Sequence, residues 1–182
     1  MASLSKTVSN ATSAVRPAVP GLPICISPET TISPEELGLV CSDLELVTSD
    51  SVTLHCYLLR HAEQSTVRWD QNTESDSCAV AIVILFHGNG SNYGDGIYAS
   101  SKLMRLRCNV LMLSYYGYGR SEGIPWLRLD AQAALDYVRS DSELARPPTI
   151  LYGTSLGSAV AIDLASRNPS TVRLRPIINR PQ

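Results

Sequence analysis

The chain is predicted to be an α/β protein with a mostly parallel sheet and flanking helices, and three observations predict it. Ala79 to Phe86 is an unbroken apolar run rich in β-branched residues, as expected of a strand buried on both faces. Two more apolar segments, Asn109 to Leu113 and Thr149 to Tyr152, follow at wide intervals. Between and after them stand stretches of helical spacing. Strands alternating with helices imply right-handed crossovers that place helices on both faces of a parallel sheet.

Taken in order, residues 1–35 are rich in Ser, Thr, Ala and Pro, including Pro17, Pro20, Pro23, Pro28 and Pro34. They carry no helix or strand period and are expected to form a flexible extension. Leu44, Leu46 and Thr48 alternate with polar neighbours, Ser49-Asp50-Ser51 supplies turn residues, and Val52, Leu54, Cys56 and Leu58 alternate again. That pattern predicts two strands joined by a tight turn. Residues 62–77 are polar and read as an exposed loop. After the run ending at Phe86, Leu103 and Leu106 belong to a predicted helix. Leu127, Ala131, Ala134, Leu135 and Val138 share one face of another, which Pro147-Pro148 forbids from continuing. Ser155 to Ser166 is apolar or small nearly all round, which predicts a helix buried against the sheet.

Composition narrows the function classes. With 182 residues, 44% of them hydrophobic, the chain can build one domain with a sizeable core. Fifteen basic and 17 acidic residues, net charge -2, give no field that would recruit nucleic acid or an anionic membrane. The cysteines at 25, 41, 56, 78 and 108 lack C-x-x-C spacing, so they read as reduced thiols, and no metal or other cofactor is expected. No apolar run approaches the roughly 20 residues a membrane-spanning helix needs, and Met1 to Pro20 lacks the apolar block of a secretory signal. An intracellular, cytoplasmic chain is the default expectation, with no transmembrane segment. Composition is silent on oligomeric state.

The chemistry-bearing motif is Gly153-Thr154-Ser155-Leu156-Gly157, a G-x-S-x-G sequence between a predicted buried strand and an apolar helix. That context is the one a nucleophile elbow requires. A plain glycine-rich turn with a serine N-cap would also give the pattern. What favours the elbow is steric: a serine raised above the sheet in a strained turn leaves no room for Cβ atoms two residues to either side. Ser155 is the candidate catalytic nucleophile. At the start of its helix, orphan N–H groups and the helix dipole favour developing negative charge, so the Leu156 N–H is one candidate oxyanion donor. A second is expected from the loop after Phe86, His87-Gly88-Asn89-Gly90, through the N–H of Asn89 or, less favourably, Gly90. His87 opens that loop and is read as ordering it; the alternative is a catalytic base. His55 and His61 precede the parallel sheet and read as surface or satisfied histidines. Asp163, eight residues beyond Ser155, reads as a helix-surface carboxylate. Tyr115 to Gly123 is glycine-rich without being G-x-G-x-x-G, which gives phosphate binding little support. Tyr93, Tyr118 and Trp126 read equally as the near wall of a pocket or as ordinary packing.

Taken together, His87-Gly-Asn-Gly90, Tyr116-Gly-Tyr-Gly-Arg-Ser-Glu-Gly123 and Gly153-Thr-Ser-Leu-Gly157, in this order and spacing, resemble the α/β-hydrolase superfamily. The likeness runs from Glu36 to Arg167. It is strongest to the fungal bud-emergence type, related to animal α/β-hydrolase-domain enzymes that include protein depalmitoylases. Leu44-Glu-Leu-Val-Thr-Ser-Asp50 and Val52-Thr-Leu-His-Cys-Tyr57 fit that subgroup too. The resemblance implies an α/β-hydrolase fold and a serine hydrolase of carboxylic esters or thioesters, acyl-protein thioesters among them. It also implies an acid and a histidine that follow the serine in chain order. After Arg167 the remaining 15 residues contain no His, Asp or Glu. Residues 36–182 are therefore expected to be a partial hydrolase domain, truncated after the nucleophile helix and inactive alone. A catalytically inactive short isoform acting as an interaction protein is the alternative. Membrane association is admitted only through the resemblance.

Overall fold

A computed structural model describes residues 34–61, 78–91, 93–118 and 127–172. Its five strands are β1 (Ser42–Val47), β2 (Thr53–Leu59), β3 (Ala81–Phe86), β4 (Cys108–Leu113) and β5 (Thr149–Gly153). They form one sheet in the order β1-β2-β4-β3-β5. β1 and β4 each pair antiparallel with β2, while β3 is parallel to both β4 and β5. β2 is thus the one strand among these five that runs against the others. Three helices connect and flank them: α1 (Ile97–Arg105), α2 (Leu127–Ser140) and α3 (Leu156–Arg167).

β3 and β4 are buried at every position, and their alternation divides the core into two layers. Ile82, Ile84, Phe86, Leu111 and Leu113 pack on the α2 and α3 side, with Ala134, Leu135, Val138, Val160 and Leu164. Leu85, Val110 and Met112 pack on the opposite side with Ile97 and Met104 of α1. The apolar side chains of these strands therefore face helix-covered layers on both sides, which is why both read as near-continuous apolar runs rather than alternating ones; Asn109 of β4 is the polar exception, accepting the His61 N–H. The β1–β2 hairpin turns at Ser51, whose φ is 65°, and Val52 O accepts the Thr48 N–H at 2.9 Å. Beyond α2, Asp141 Oδ1 accepts the N–H groups of Glu143 (2.9 Å) and Leu144 (3.0 Å). Those bonds fix the turn that delivers Pro148 to β5.

One sequence expectation of the fold is corrected. Thr149–Tyr152 read as a buried strand, yet β5 is only partly buried and Ile150 is 40% exposed, because β5 lies at one edge of the described sheet, where only an isolated bridge from Thr149 to Val172 flanks it beyond β3. The segment from Ser155 read as a helix buried against the sheet, and α3 does bury Gly157, Val160, Ala161, Leu164 and Ala165 there, while its outward Ile162 is 59% exposed. A helix laid on one face of a sheet has a single inward stripe, however apolar the rest of it is. Of the expected flexible extension, residues 1–33 lie outside the described residues. Glu35 opens a short 3-10 turn, Glu35–Leu37, closed by the Leu37 N–H on Pro34 O at 3.1 Å. The predicted loop over residues 62–77 also lies outside them.

Candidate active site

Only Thr154 and Ser155 separate the end of β5 from the start of α3. A turn this tight between a strand and a helix forces Ser155 to φ 52°, ψ −115°, a conformation that costs an L-residue about 1–3 kcal/mol. The packing around it is made possible by two glycines. A Cβ on Gly153 would overlap the carbonyl of Gly157 and stand 2.5 Å from Ser158 N. One on Gly157 would overlap Phe86 O and stand 2.8 Å from His87 O. The first turn of α3 is thereby pressed against the C-terminal ends of both β3 and β5. Phe86 O accepts the Thr154 N–H at 3.1 Å, and the Ser158 hydroxyl donates to Gly153 O at 2.8 Å. Ser155 itself is exposed, and its hydroxyl makes no capping bond to α3, although serine at this position ordinarily does.

The strain yields a stability prediction with an unusual sign. Glycine normally costs a protein stability relative to alanine, but at positive φ the Cβ is the liability. Ser155→Gly is expected to be more stable than Ser155→Ala by about 1 kcal/mol, read from urea unfolding midpoints. Equal midpoints, or alanine ahead, would mean that the turn stores no strain.

The loop that follows β3 comes up against this turn. A Cβ built on Gly88 would lie 3.5 Å from Ser155 Cβ and 3.4 Å from Thr154 O, so the His87–Gly90 segment passes directly beside the serine. Leu156 is the first residue of α3, and its N–H has no acceptor within the helix. Asn89 is exposed, Gly90 has φ 79°, and Asn89 Oδ1 accepts a hydrogen bond from the Tyr118 hydroxyl at 2.7 Å. The structure thus brings Ser155, Leu156, Gly153, Gly157 and the His87–Gly90 loop together at the C-terminal edge of the parallel strands, where ligands of open α/β sheets bind.

His87 is buried, and both of its ring nitrogens are engaged. Nδ1 lies 2.8 Å from Gly88 O; since a carbonyl only accepts, Nδ1 carries the proton. Nε2 accepts the Tyr115 N–H at 3.4 Å, and His87 O accepts the Tyr115 hydroxyl at 3.2 Å. Burial lowers the His87 pKa to about 4, against smaller opposing pulls from the Gly88 carbonyl and the Asp95 carboxylate. The ring is therefore neutral at pH 7, with neither nitrogen offered to a proton on Ser155. This geometry suits a residue that orders the loop and does not suit a base.

The other charged candidates lie elsewhere. His55 sits on β2, 3.9 Å from Glu45 Oε1, with β4 and β3 between it and β5. His61 lies two residues past the end of β2, and its backbone N–H donates to Asn109 Oδ1 at 2.8 Å; it is not the surface or satisfied histidine expected, because its ring Nδ1 is buried without a hydrogen-bond partner among the described residues. Asp163 pairs with Arg167 at 2.9 Å and Arg128 at 3.1 Å on the outer surface of α3, too exposed a network to be worth more than a fraction of a kcal/mol. Among the described residues no three His, Cys, Asp or Glu side chains converge as a metal would need, and no helix is long and apolar enough to cross a membrane. Of the tyrosine-glycine segment, the described part wraps His87: the Tyr115 and Tyr118 rings lie 4.2 and 5.2 Å from its imidazole. Tyr118, 1% exposed, is no pocket wall. The Tyr93 side chain and Trp126 lie outside the described residues. Sequence reasoning passed over Asp130, fully buried on α2, whose Oδ2 accepts the Tyr116 N–H at 2.9 Å. An aspartate at a core-facing helical position was its one available signal.

Comparison with known proteins bears on the family and the fold. Residues 77–180 match the family profile described as serine aminopeptidase, S33. The chain is 32% identical over 160 residues to the alpha/beta hydrolase domain-containing protein WAV2 of Arabidopsis thaliana, covering 86% of this chain and 46% of that protein. It is 32% identical over 150 residues to the protein bem46 of Schizosaccharomyces pombe, covering 80% and 46%. The chain therefore spans about half the length of these curated relatives. Among solved structures, an esterase of Pyrococcus furiosus superposes with a TM-score of 0.64 at 20% identity, over 84% of this chain and 55% of that one, a likeness of fold. With the family profile matched over more than half of its residues and this sheet order beneath it, the chain belongs to the α/β-hydrolase family.

Proposed function

We propose that this chain carries the nucleophile and the oxyanion-binding loop of a serine hydrolase acting on carboxylic esters or thioesters. The observation that carries the reading is the backbone of Ser155: φ 52° at an exposed strand-to-helix turn, closed by two glycines that admit no side chain. A strained, outward-facing serine pressed against the loop of an adjacent parallel strand has little to gain structurally and much to gain chemically.

In the proposed reaction Ser155 Oγ attacks the acyl carbon while its proton passes to a base. Negative charge gathers on the former carbonyl oxygen, which the N–H groups of Leu156 and Asn89 face, with Gly90 the less favoured donor. The alcohol or thiol then leaves and a water releases the acyl group. His87 is committed to its loop, so we place the base and its orienting acid outside the described residues. An acyl ester or thioester is the substrate class proposed for this site, and the proposed reaction uses no metal or cofactor. Incubation of the full-length protein with a fluorophosphonate is the test. A single adduct on the Ser155 peptide is expected by mass spectrometry; a protein that stays unmodified there would overturn the proposal.

A further inference from the structure

We propose that Tyr118 is a positioning residue for this site: through its hydrogen bond to Asn89 Oδ1, its hydroxyl holds the Asn89 peptide N–H at the angle that an oxyanion requires. The inference rests on the reading of Asn89 as an oxyanion donor.

The need for such a tether follows from the loop's composition. Asn89 stands between Gly88 and Gly90, and glycine restricts its own backbone less than any other residue. The Asn89 N–H shares its peptide plane with Gly88 O, which accepts from His87 Nδ1 at 2.8 Å and from the Ser91 N–H at 3.3 Å, but the two glycines add little steric restraint, and transition-state stabilisation depends on donors held in place beforehand. The Asn89 side chain adds a constraint from outside the loop. The Tyr118 hydroxyl donates to Oδ1 at 2.7 Å, the usual length of a good O–H···O bond.

Tyr118 is itself rigidly mounted. Its ring is buried edge-on against Tyr115, with centroids 5.8 Å apart and planes at 80°, and against His87 at 5.2 Å and 63°. Its N–H donates to Tyr115 O at 2.9 Å. The turn that carries it, with Gly117 at φ 83°, is pinned to α2 by the Tyr116 N–H on the buried Asp130 carboxylate. A tyrosine from the loop after β4 thus anchors a flexible donor from the loop after β3, and its hydroxyl spans a separation of 29 residues to do so.

The test uses full-length protein in four forms: wild type, Tyr118→Phe, Asn89→Ala and the double variant. Tyr118→Phe keeps the ring and its packing and removes the hydroxyl; Asn89→Ala keeps the backbone N–H and removes the side-chain amide whose oxygen accepts from that hydroxyl. Amide hydrogen exchange across residues 88–91 is expected to quicken about tenfold in each single variant and no further in the double, because both delete one bond. Exchange in β3 should not change. Unchanged loop exchange in Tyr118→Phe would overturn the tether, whether or not Ser155 is reactive. With p-nitrophenyl acetate, kcat is expected to fall about tenfold in Tyr118→Phe while KM stays within about twofold, since a misdirected donor weakens transition-state binding alone. Loosened exchange with unaltered kcat would show a merely structural bond and overturn the positioning role. A wild-type protein without Ser155-dependent turnover would instead remove the oxyanion reading, leaving the exchange result to judge the tether separately.

Discussion

Gly157→Ala is expected to abolish fluorophosphonate labelling of Ser155 and to destabilise the protein by about 3 kcal/mol or more. In an ordinary helix the same change would be favourable by about 1 kcal/mol, since alanine is the better helix former. The reversal comes from what the new methyl would strike. Its carbon would lie 2.6 Å from the Phe86 carbonyl carbon and 2.8 Å from His87 O, and backbone, unlike a side chain, cannot swing aside. Phe86 is the last residue of a strand paired on both sides, with β4 and β5, and its carbonyl already accepts the Thr154 N–H. Relief is available only by lifting the N-terminus of α3 off the sheet. That movement carries the Leu156 N–H away and releases the Ser155 turn. Urea unfolding and probe labelling of the same preparation check both halves. Wild-type labelling by a Gly157→Ala protein would show that the elbow does not depend on this close approach.

The parts of this fold that were legible in the sequence are those decided locally. β3 is apolar throughout and β4 nearly so, Asn109 excepted, because helices cover both faces, and the glycines of the elbow announce a contact that only hydrogen can occupy. Illegible were the features set by neighbours remote in the chain. Nothing within Thr149–Tyr152 distinguishes a central strand from one at a sheet edge flanked by a single bridge, so Ile150 read as core. Nothing within α3 says which of its apolar residues faces outward, as Ile162 does. His87 Nδ1 bonds its own loop at Gly88 O, but the engagement of Nε2 depends on Tyr115, 28 residues later. Tyr118 read as a possible pocket wall or packing because its partner, Asn89, belongs to a different crossover. Spacing along one chain does not show which loops a parallel sheet brings side by side.

The commitment of His87 gives the second large effect, a loss of stability in mild acid. Its pKa of about 4 in the folded protein lies well below the ordinary value of 6.5, because burial excludes the charged ring more strongly than the Gly88 carbonyl and the Asp95 carboxylate favour it. The unfolded chain therefore takes up this proton first as pH falls. The stabilisation from keeping the ring neutral is complete above pH 6.5, declines between 6.5 and about 4, and levels off below. At about 1.4 kcal/mol per pH unit of difference, His87 accounts for about 3 kcal/mol over that window. Urea midpoints measured at intervals from pH 7.5 to 4 should show the decline. His87→Asn, whose side-chain amide can still donate toward Gly88 O but does not titrate, should flatten it by a corresponding amount while lowering stability at pH 7. An equally steep profile in His87→Asn would assign the acid sensitivity to other groups. The same protonation breaks the Tyr115 bond to the ring and loosens the loop that carries Asn89, so amide exchange across residues 88–91 should quicken over the same pH window in wild type and not in the variant, once corrected for the intrinsic pH dependence of exchange.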